Sequence, residues 1–346
     1  MCERSRDVSQ WLLLAVAKAW VFTSVGVAVV TGANKGIGLE ISRQLALNGV
    51  KVILTARDVK RGTEAVETLK AAGYSDLSFH QLDVSDPVSF SAFVNFIKTE
   101  FGKLDILLDK PTVTSLAKLK PNLTRSNFVL IMHVNNAAVN GLTTVGIVDP
   151  KDLKFGPDDV VGPNAGAFKK FVQQTYESAV NSFKTNYYGI KHLSKELIPL
   201  LQLSKSARIV NISSDLGQLK FILNENAKKK LGDVDGLIEE KVDEVVEEFL
   251  EDVKENLIEV KGWPSNNFSA YSVSKTVLNA YTRVLAKKYP TVAINAVSLG
   301  FTKTDLNYNV GVLTTEEAAK GPVMLALLRD SKPSGLFFDN TEVSTF

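Results

Sequence analysis

The chain has 346 residues, a formal net charge of +2 at pH 7 and a single cysteine, Cys2. This length allows one large α/β domain or two smaller ones. Because the net charge is close to zero and no concentrated basic patch is evident, the composition argues against nucleic-acid and membrane-surface binding and favours small-molecule partners. One cysteine cannot form an intrachain disulfide, which fits a reducing, cytoplasmic location.

Residues 1–24 form an extension before the first predicted strand. The extension is partly apolar, but Lys18 interrupts the apolar stretch, which is too short to span a bilayer. Arg4 and Arg6 would suit a signal peptide, yet cleavage near Ser24 would leave that strand at the mature terminus. We therefore expect an extension or a loose helix, with no membrane anchor.

The first predicted strand, residues 25–30, leads directly into a glycine-rich turn and then a helix. Apolar Ile37, Ile41 and Leu45 recur at helical spacing until Gly49 ends the helix. A tight turn needs residues without Cβ, and the N–H groups at a helix N-terminus favour an anion such as pyrophosphate. A dinucleotide site is therefore a better interpretation than a purely structural turn. The turn consists of Thr31, Gly32, Ala33, Asn34, Lys35, Gly36, Ile37 and Gly38.

Further strands alternate with amphipathic stretches along the chain. This alternation predicts a parallel sheet, whose right-handed crossovers place helices on both faces. We expect one α/β domain over residues 25–346, built on a Rossmann-type, doubly wound sheet with its ligand at the carboxyl ends of the strands. The predicted strands span residues 51–56, 77–82, 208–212 and 293–297.

The charge that follows the second strand predicts which dinucleotide is bound. An acidic residue there would hydrogen bond a ribose 2′-hydroxyl, as in NAD(H), but would repel a 2′-phosphate. The chain instead has Arg57, and Lys35 supplies a second cation in the glycine-rich turn. A guanidinium binds phosphate well, so NADP(H) is preferred over NAD(H).

Tyr271 and Lys275 lie four positions apart, which alone indicates only a shared helix face. Together with the glycine-rich turn, they make the chain resemble a short-chain dehydrogenase/reductase of the monomeric carbonyl-reductase type, which includes the plant menthone and salutaridine reductases. The resemblance covers about residues 25–346, and the combination of motifs is highly specific. The matching segments are residues 31–38, 83–84, 135–137, Asn186 with Gly189, 211–214, 271–275 and 304–305.

The resemblance implies cofactor-binding roles residue by residue. Asp83 and Val84 would border the adenine, and Thr304 would contact the nicotinamide end. Asn136 and Ala137 would line the path of the ribose. The remaining cofactor-binding residues would be Gly32, Asn34, Lys35, Gly36, Ile37, Gly38, Arg57 and Lys275.

The resemblance also implies a catalytic tetrad of Asn186, Ser214, Tyr271 and Lys275. Reduction of a ketone builds alkoxide character on the carbonyl oxygen, so a positioned proton donor, here Tyr271, lowers the barrier. An unperturbed tyrosine has a pKa of about 10, and the Lys275 ammonium, with the positive nicotinamide, would favour its phenolate. Lys275 would also hold the nicotinamide ribose, Ser214 would fix the carbonyl oxygen, and Asn186 would order a water that relays protons.

Residues 218–264 insert a segment between Ser214 and Tyr271. Apolar residues recur at helical spacing from Ile238 to Leu257 with acidic residues on the other, solvated face, which predicts an amphipathic helix. In the monomeric relatives, a similar insertion covers the surface that smaller members use to tetramerise and forms part of the substrate pocket. We therefore expect a monomer with a partly lidded, apolar site.

Residues 108–133 depart most from the family pattern, because they separate two segments that the family joins directly. The segment has no clear amphipathic period and looks like an unspliced segment translated in frame, a hypothesis that sequencing the transcript tests. Residues 128–134 nevertheless have the pattern of a buried strand and keep Asn135 in register. The alternative is that residues 104–108 form this strand, which would dislocate the Asn135 loop and abolish activity.

Smaller departures affect the cofactor floor. Ala138 replaces a usual glycine and Leu299 replaces a usual proline, so we expect weaker cofactor binding but not inactivity. His80, His133 and His192 lie in separate elements without ligand spacing, so we expect packing or surface residues and no metal site.

The sequence thus predicts NADPH-dependent reduction of a ketone or aldehyde on a bulky, apolar substrate. A monoterpenoid ketone, with menthone-to-neomenthol chemistry as the nearest analogue, is implied by the resemblance alone. Two alternatives stay open. A pseudoenzyme or impaired splice product that binds NADP(H) without turnover would fit residues 108–133, Ala138 and Leu299. Ene reduction on the same scaffold is less favoured, because the resembling double-bond reductases tend to alter the tyrosine, and Tyr271 is present.

Overall fold

The computed structural model describes residues 26–102, 131–144, 168–204, 206–264, 268–328 and 333–346. The expected extension over residues 1–24 and most of the atypical segment over residues 108–133 lie outside these ranges. The strands are β1 (Val27–Val30), β2 (Lys51–Ala56), β3 (Leu77–Gln81), β4 (Ile131–Asn135), β5 (Thr143–Thr144), β6 (Val172–Gln173), β7 (Arg208–Ile212), β8 (Ala293–Ser298), β9 (Phe337–Asp339) and β10 (Glu342–Ser344).

The helices follow the strands in the alternation that the sequence predicts. A π-helical turn, Lys184–Gly189, joins two of them without a break, and a 3-10 turn, Asp215–Gly217, follows β7. The α-helices are α1 (Gly36–Leu47), α2 (Val59–Ala71), α3 (Pro87–Ile97), α4 (Tyr176–Phe183), α5 (Ile190–Leu201), α6 (Glu225–Gly232), α7 (Glu239–Lys254), α8 (Ser269–Lys288), α9 (Thr315–Ala318) and α10 (Lys320–Leu327).

The main sheet has the strand order β3-β2-β1-β4-β7-β8-β9-β10. All neighbouring strands in it are parallel except β10, which runs antiparallel to β9, and β5 and β6 form a separate pair. The chain moves outward from β1 to β3 and then returns to β4 on the other side of β1. This reversal between β1 and β4 confirms the doubly wound Rossmann-type fold and is where such sheets bind their ligands.

Both faces of the sheet are buried, because successive residues of each strand point to opposite sides. Val27 and Val29 of β1 pack into a core with α3, α4, α5, α7 and α8. Ala28 and Val30 pack into a second core with α1, α2 and α10. A strand with two buried faces has a continuous apolar sequence, which is why the strands were recognisable.

The strand β4 lies at the centre of the sheet, where Val134 is opposite Val30 of β1 and Val210 of β7. The prediction that residues 128–134 form the buried strand and keep Asn135 in register is therefore confirmed from residue 131 onward, and residues 128–130 lie outside the described ranges. The alternative strand, residues 104–108, lies outside the described residues. The strand that pairs with β1 on this side is β4. His133 is the unusual member of β4, because it is fully buried and its ring nitrogens have no hydrogen-bond partner among the described residues.

The inserted segment contains the predicted amphipathic helix, which the structure begins after Ile238 and ends at Lys254. Its apolar face packs on α4, α6 and α8. Near the end of the segment, Trp263 donates its Nε1–H to Asp252 Oδ2 at 2.7 Å. None of the helices in the described ranges combines the length and the apolar character that crossing a bilayer requires. The buried residues of α7 are Val242, Val245, Val246, Phe249, Asp252 and Val253.

Candidate active site

Tyr271 and Lys275 lie one turn apart near the start of α8, beside the carboxyl end of β7. Lys275 is buried, and its Nζ donates to the carbonyl oxygen of Ile212 at 2.8 Å. The same Nζ lies 5.6 Å from the centre of the Tyr271 ring. The two side chains therefore share one site at the end of the sheet where the fold binds its ligand.

Ser214 joins this pair from the loop after β7. Its Oγ accepts the N–H of Leu216 at 3.2 Å, and the same side chain hydrogen bonds Tyr271. Burial raises the pKa of Tyr271 to about 12; the Ser214 bond acts in the opposite direction, and the Asp215 carboxylate adds to the rise. Among the groups of the chain, burial disfavours the phenolate more than the Ser214 hydrogen bond stabilises it, and the effect of a bound nicotinamide stays a prediction. Tyr271 therefore carries its proton at neutral pH, as a proton donor must.

Lys275 has the opposite shift, because burial lowers its pKa to about 7. An ordinary lysine, with a pKa above 10, stays charged at neutrality. At a pKa near 7 the ammonium and the neutral amine are both populated, so Lys275 can exchange a proton at neutral pH.

Asn186 lies in the π-helical turn between α4 and α5 and is fully buried. Its Nδ2 donates to Val139 O at 2.9 Å, to Ser182 Oγ at 3.1 Å and to Ser274 Oγ at 3.0 Å. Its Oδ1 accepts the Val139 N–H at 2.9 Å. Ser274 Oγ in turn donates to the carbonyl oxygen of Tyr271 at 2.7 Å. Asn186 thus reaches α8 through Ser274.

Asn135 ends β4 opposite Asn211 of β7. Asn135 Nδ2 donates to Asn211 Oδ1 at 2.7 Å, and Asn211 Nδ2 donates to Thr282 Oγ1 at 2.8 Å. This buried chain of amides ties the two central strands to α8. It fixes the end of β4, from which the following loop departs.

The loop after β4 is fastened to the glycine-rich turn through Thr31. Thr31 Oγ1 accepts the N–H of Asn136 at 3.0 Å and the N–H of Ala137 at 3.1 Å. Asn136 Nδ2 donates to the carbonyl oxygens of Thr31 at 3.0 Å and Gly32 at 3.1 Å. The structure therefore brings together two segments that were predicted separately to bind the cofactor.

The close approach of these two segments explains two of the glycines. Gly32 has a φ of +61°, which residues with a Cβ rarely adopt, and a Cβ there would lie 3.0 Å from the Ala137 Cα. A Cβ at Gly38 would lie 2.4 Å from Asn136 Nδ2. Either added methyl group would separate the glycine-rich turn from the loop after β4.

An open cleft of about 400 Å³ lies beside the glycine-rich turn, where the adenosine end of a dinucleotide would bind. Lys35 forms an ion pair with Asp305 at its edge, and both side chains are more than half exposed. Arg61 of α2 also lines the cleft, and its Nε lies 3.6 Å from Asp58 Oδ2. The sequence predicted Arg57, which lies between β2 and α2 and is not among the residues that line the cleft, and it did not predict Arg61.

The other predicted cofactor residues occupy separate loops at the same end of the sheet. Asp83 follows β3, and its Oδ1 accepts the N–H of Ser85 at 2.8 Å and the Ser85 hydroxyl at 2.6 Å. Val84 is buried in the core. Thr304 precedes the short turn Asp305–Asn307, and its N–H donates to Asn307 Oδ1 at 3.1 Å. Ile37 packs against the core beneath the glycine-rich turn.

Comparison with known proteins agrees with this geometry. The family model described as short chain dehydrogenase matches residues 26–149. Salutaridine reductase from Papaver bracteatum is 46% identical over 333 residues, covering 94% of this chain and 97% of the relative. The (+)-neomenthol dehydrogenase of Arabidopsis thaliana is 47% identical, covering 92% of this chain and 97% of the relative. This chain belongs to the short-chain dehydrogenase/reductase family.

Solved structures give the same assignment. Salutaridine reductase from Papaver somniferum aligns with a TM-score of 0.75 at 44% identity, covering 91% of this chain and 99% of the other. Menthone neomenthol reductase from Mentha piperita aligns with a TM-score of 0.74 at 42% identity, covering 93% of this chain and 100% of the other. The family consists of oxidoreductases that use nicotinamide cofactors, and this short-chain dehydrogenase/reductase shares their fold over most of its length.

A small apolar cluster surrounds Tyr271 in this short-chain dehydrogenase/reductase. Phe168 and Phe268 stack with ring centres 6.3 Å apart, and Tyr308 meets Phe168 edge-on at 5.4 Å. Among the members of this cluster, the sequence predicted a functional role only for Tyr271, and the role of the inserted segment in the substrate pocket stays a prediction. The members are Leu142, Phe168, Val172, Leu216, Phe268, Tyr271, Tyr308 and Val310.

The two small departures from the family pattern have different surroundings. Ala138 lies, partly buried, between Ala137 and Val139 in the loop that Thr31 and Asn186 hold. Leu299 is buried in the core, and its carbonyl oxygen accepts the Thr302 hydroxyl at 3.3 Å. Packing and this bond hold the segment that lacks the usual proline.

Proposed function

We propose that this chain is an NADPH-dependent carbonyl reductase that converts a ketone or aldehyde on a bulky, apolar substrate to an alcohol. The observation that carries the proposal is the placement of Tyr271, hydrogen bonded to Ser214, beside buried Lys275 and within an apolar cluster. A hydroxyl donor in an apolar setting suits a carbonyl oxygen that becomes an alkoxide.

In this proposal, the residues of the chain hold the carbonyl and move the proton. Bound NADPH supplies the hydride. The Ser214 and Tyr271 hydroxyls hold the carbonyl oxygen, and Tyr271 releases its proton to the oxygen as negative charge develops there. Lys275, with a pKa near 7, then restores that proton, and Asn186 keeps the catalytic helix in place through Ser274.

The preference for NADP(H) is supported by the cations around the adenosine cleft. Arg57 follows β2 directly, and Lys35 and Arg61 line the cleft. Guanidinium groups bind phosphate with paired hydrogen bonds, so this donor set fits a ribose 2′-phosphate. Lys35 would leave its ion pair with Asp305 and pair with the 2′-phosphate when the cofactor binds. The glycine-rich turn, Asp83, Val84, Asn136, Ala137 and Thr304 are proposed to hold the rest of the cofactor, as the resemblance implies.

The proposed substrate class is a monoterpenoid ketone or a related secondary metabolite, with menthone as the model. Two observations support it. The aromatic and aliphatic side chains around Tyr271 offer an apolar wall. Similar proteins are named for reductions of plant metabolites, among them (-)-isopiperitenone reductase of Mentha piperita, 48% identical over 325 residues.

The proposal extends to the state of the protein. We propose a single domain over residues 25–346 that acts as a monomer in the cytoplasm. The monomer is supported by α7, which covers α4 and α8. The cytoplasmic location is supported by the single cysteine, because one cysteine cannot form an intrachain disulfide.

The test is NADPH oxidation by the purified protein with a panel of terpenoid ketones, quinones and aromatic aldehydes, run beside the Tyr271→Phe variant. We expect turnover by the wild type and a loss of ~10²- to 10⁴-fold in the variant, because it lacks the proton donor. NADPH binding, followed by fluorescence, should be unchanged.

Either of two results would contradict the proposal. Equal turnover by the variant would remove Tyr271 from the reaction. A wild type that binds NADPH tightly but oxidises none of it with any carbonyl would favour the protein that binds without turnover.

A further inference from the structure

The π-helical turn Lys184–Gly189 contains two consecutive residues whose side chains contact different parts of the fold. Asn186 makes the hydrogen bonds that reach the catalytic helix, and Tyr187 points into the core. A π-helical turn is rare and interrupts the regular hydrogen-bond ladder of an α-helix, so it needs support from outside the helix. The contacts of Tyr187 are therefore candidates for that support.

Tyr187 is fully buried, and its hydroxyl donates to Asp243 Oδ1 at 2.9 Å. Asp243 belongs to α7 of the inserted segment, so this bond links the π-helical turn to an element more than 50 residues away in sequence. The Tyr187 ring also meets the ring of Tyr281 on α8 edge-on, with centres 5.7 Å apart.

Two lysines of α5 form ion pairs with Asp243 and with Glu239, which lies one helical turn before it. Lys191 is almost fully buried, and its Nζ lies 2.5 Å from Asp243 Oδ2 and 2.9 Å from Glu239 Oε1. Lys195 also pairs with Glu239. A buried ammonium requires such partners, because an unpaired buried charge is strongly unfavourable. The cluster thus fixes the first half of α7 against α5.

From Tyr187 the contacts continue to the reacting tyrosine. Asn186, the preceding residue, donates to Ser274 Oγ, and Ser274 donates to the carbonyl oxygen of Tyr271. Asn186 also binds both backbone groups of Val139, in the loop that follows Asn136 and Ala137. A shift of the π-helical turn would therefore displace both the catalytic helix and the cofactor loop.

We propose that Tyr187 and Asp243 are positioning residues for the proposed reductase reaction, acting through Asn186. The inserted helix then has a catalytic purpose beyond covering a surface, since it supplies the acceptor that holds the π-helical turn. The inference rests on the proposed function, and its test includes a measurement that does not depend on turnover.

The test compares Tyr187→Phe with Tyr281→Phe. Each variant removes one hydroxyl from a fully buried tyrosine, but the Tyr281 hydroxyl has no hydrogen-bond partner among the described residues. In Tyr187→Phe we expect kcat to fall about tenfold with an unchanged KM for NADPH, because small displacements of reacting groups slow the chemical step. Hydrogen exchange in peptides that contain residues 184–189 should become faster. Tyr281→Phe should change neither quantity.

A third variant, Asp243→Asn, keeps an acceptor for the Tyr187 hydroxyl and should retain a higher kcat than Tyr187→Phe. The inference is overturned if the two tyrosine variants lose kcat equally, or if exchange at residues 184–189 is the same in both. Should the wild type reduce no carbonyl compound, the proposed function fails, and the exchange comparison still decides whether Tyr187 supports the turn.

Discussion

Lys35 and Arg61 are the residues from which cofactor choice can be measured. Both line the adenosine cleft and both have a carboxylate partner, but the pair between Lys35 and Asp305 is closer than the pair between Arg61 and Asp58, whose Nε and Oδ2 are 3.6 Å apart. A cation that already has a close partner loses part of its gain when it binds phosphate. We therefore expect Arg61 to contribute strongly to phosphate binding.

For Arg61→Ala we expect the KM for NADPH to rise about tenfold, because a charge-assisted hydrogen bond contributes about 1.5–3 kcal/mol. The KM for NADH should change little, since NADH lacks the 2′-phosphate. Steady-state kinetics with both nucleotides measure this. Lys60→Ala is the matched control, because it removes the same charge from a neighbouring exposed position that does not line the cleft. An equal effect on both nucleotides would show that Arg61 does not bind the phosphate.

At the scale of the element, the strand β4 contains a buried histidine that lowers the stability of the protein at acidic pH. His133 lies fully buried in the middle of the sheet, and burial lowers its pKa to about 3. The unfolded chain takes up a proton on this residue below about pH 6.5, whereas the folded chain does so only near pH 3. The stability of the protein therefore falls as the pH drops from 6.5 towards 3.

Replacing His133 by leucine removes this proton uptake. We expect the free energy of unfolding of the wild type to fall by about 2 kcal/mol more than that of His133→Leu between pH 7 and pH 5, at about 1.4 kcal/mol per pH unit below 6.5. Urea denaturation at the two pH values gives this difference. An equal pH dependence of the two proteins would mean that His133 does not remain neutral in the fold.

At the scale of the whole molecule, α7 covers faces of α4 and α8 that would otherwise be exposed apolar surface. Phe249 is central to this packing, with ring centres 5.5 Å from Phe183 and 5.2 Å from Trp263. An uncovered apolar face of this kind favours association between chains. The helix therefore favours a monomer.

Light scattering should give the mass of one chain for the wild type. Phe249→Ala should lower the free energy of unfolding by about 3–5 kcal/mol and promote association, because it leaves a cavity in this packing. Glu251→Ala, on the exposed side of the same helix, should do neither. A stable dimer or tetramer of the wild type would contradict the covering role of α7.

The sequence by itself determined most strands of the main sheet, though not the edge strands β9 and β10, and it supplied the proposed residues of the site. The strands β2 and β7 have the predicted bounds because strands with two buried faces are continuous apolar runs. Tyr271, Lys275 and Ser214 were recognisable because they stand at fixed places in motifs, and the structure brings them together after β7.

Only the tertiary structure decided what surrounds those residues. Burial set the upward shift of the Tyr271 pKa, and burial depends on elements that are distant in sequence. The link between Tyr187 and Asp243 likewise joins two helices whose packing no local pattern encodes. Spacing along a chain determines which residues share a face, whereas the contacts between faces depend on how the folded elements fit against one another.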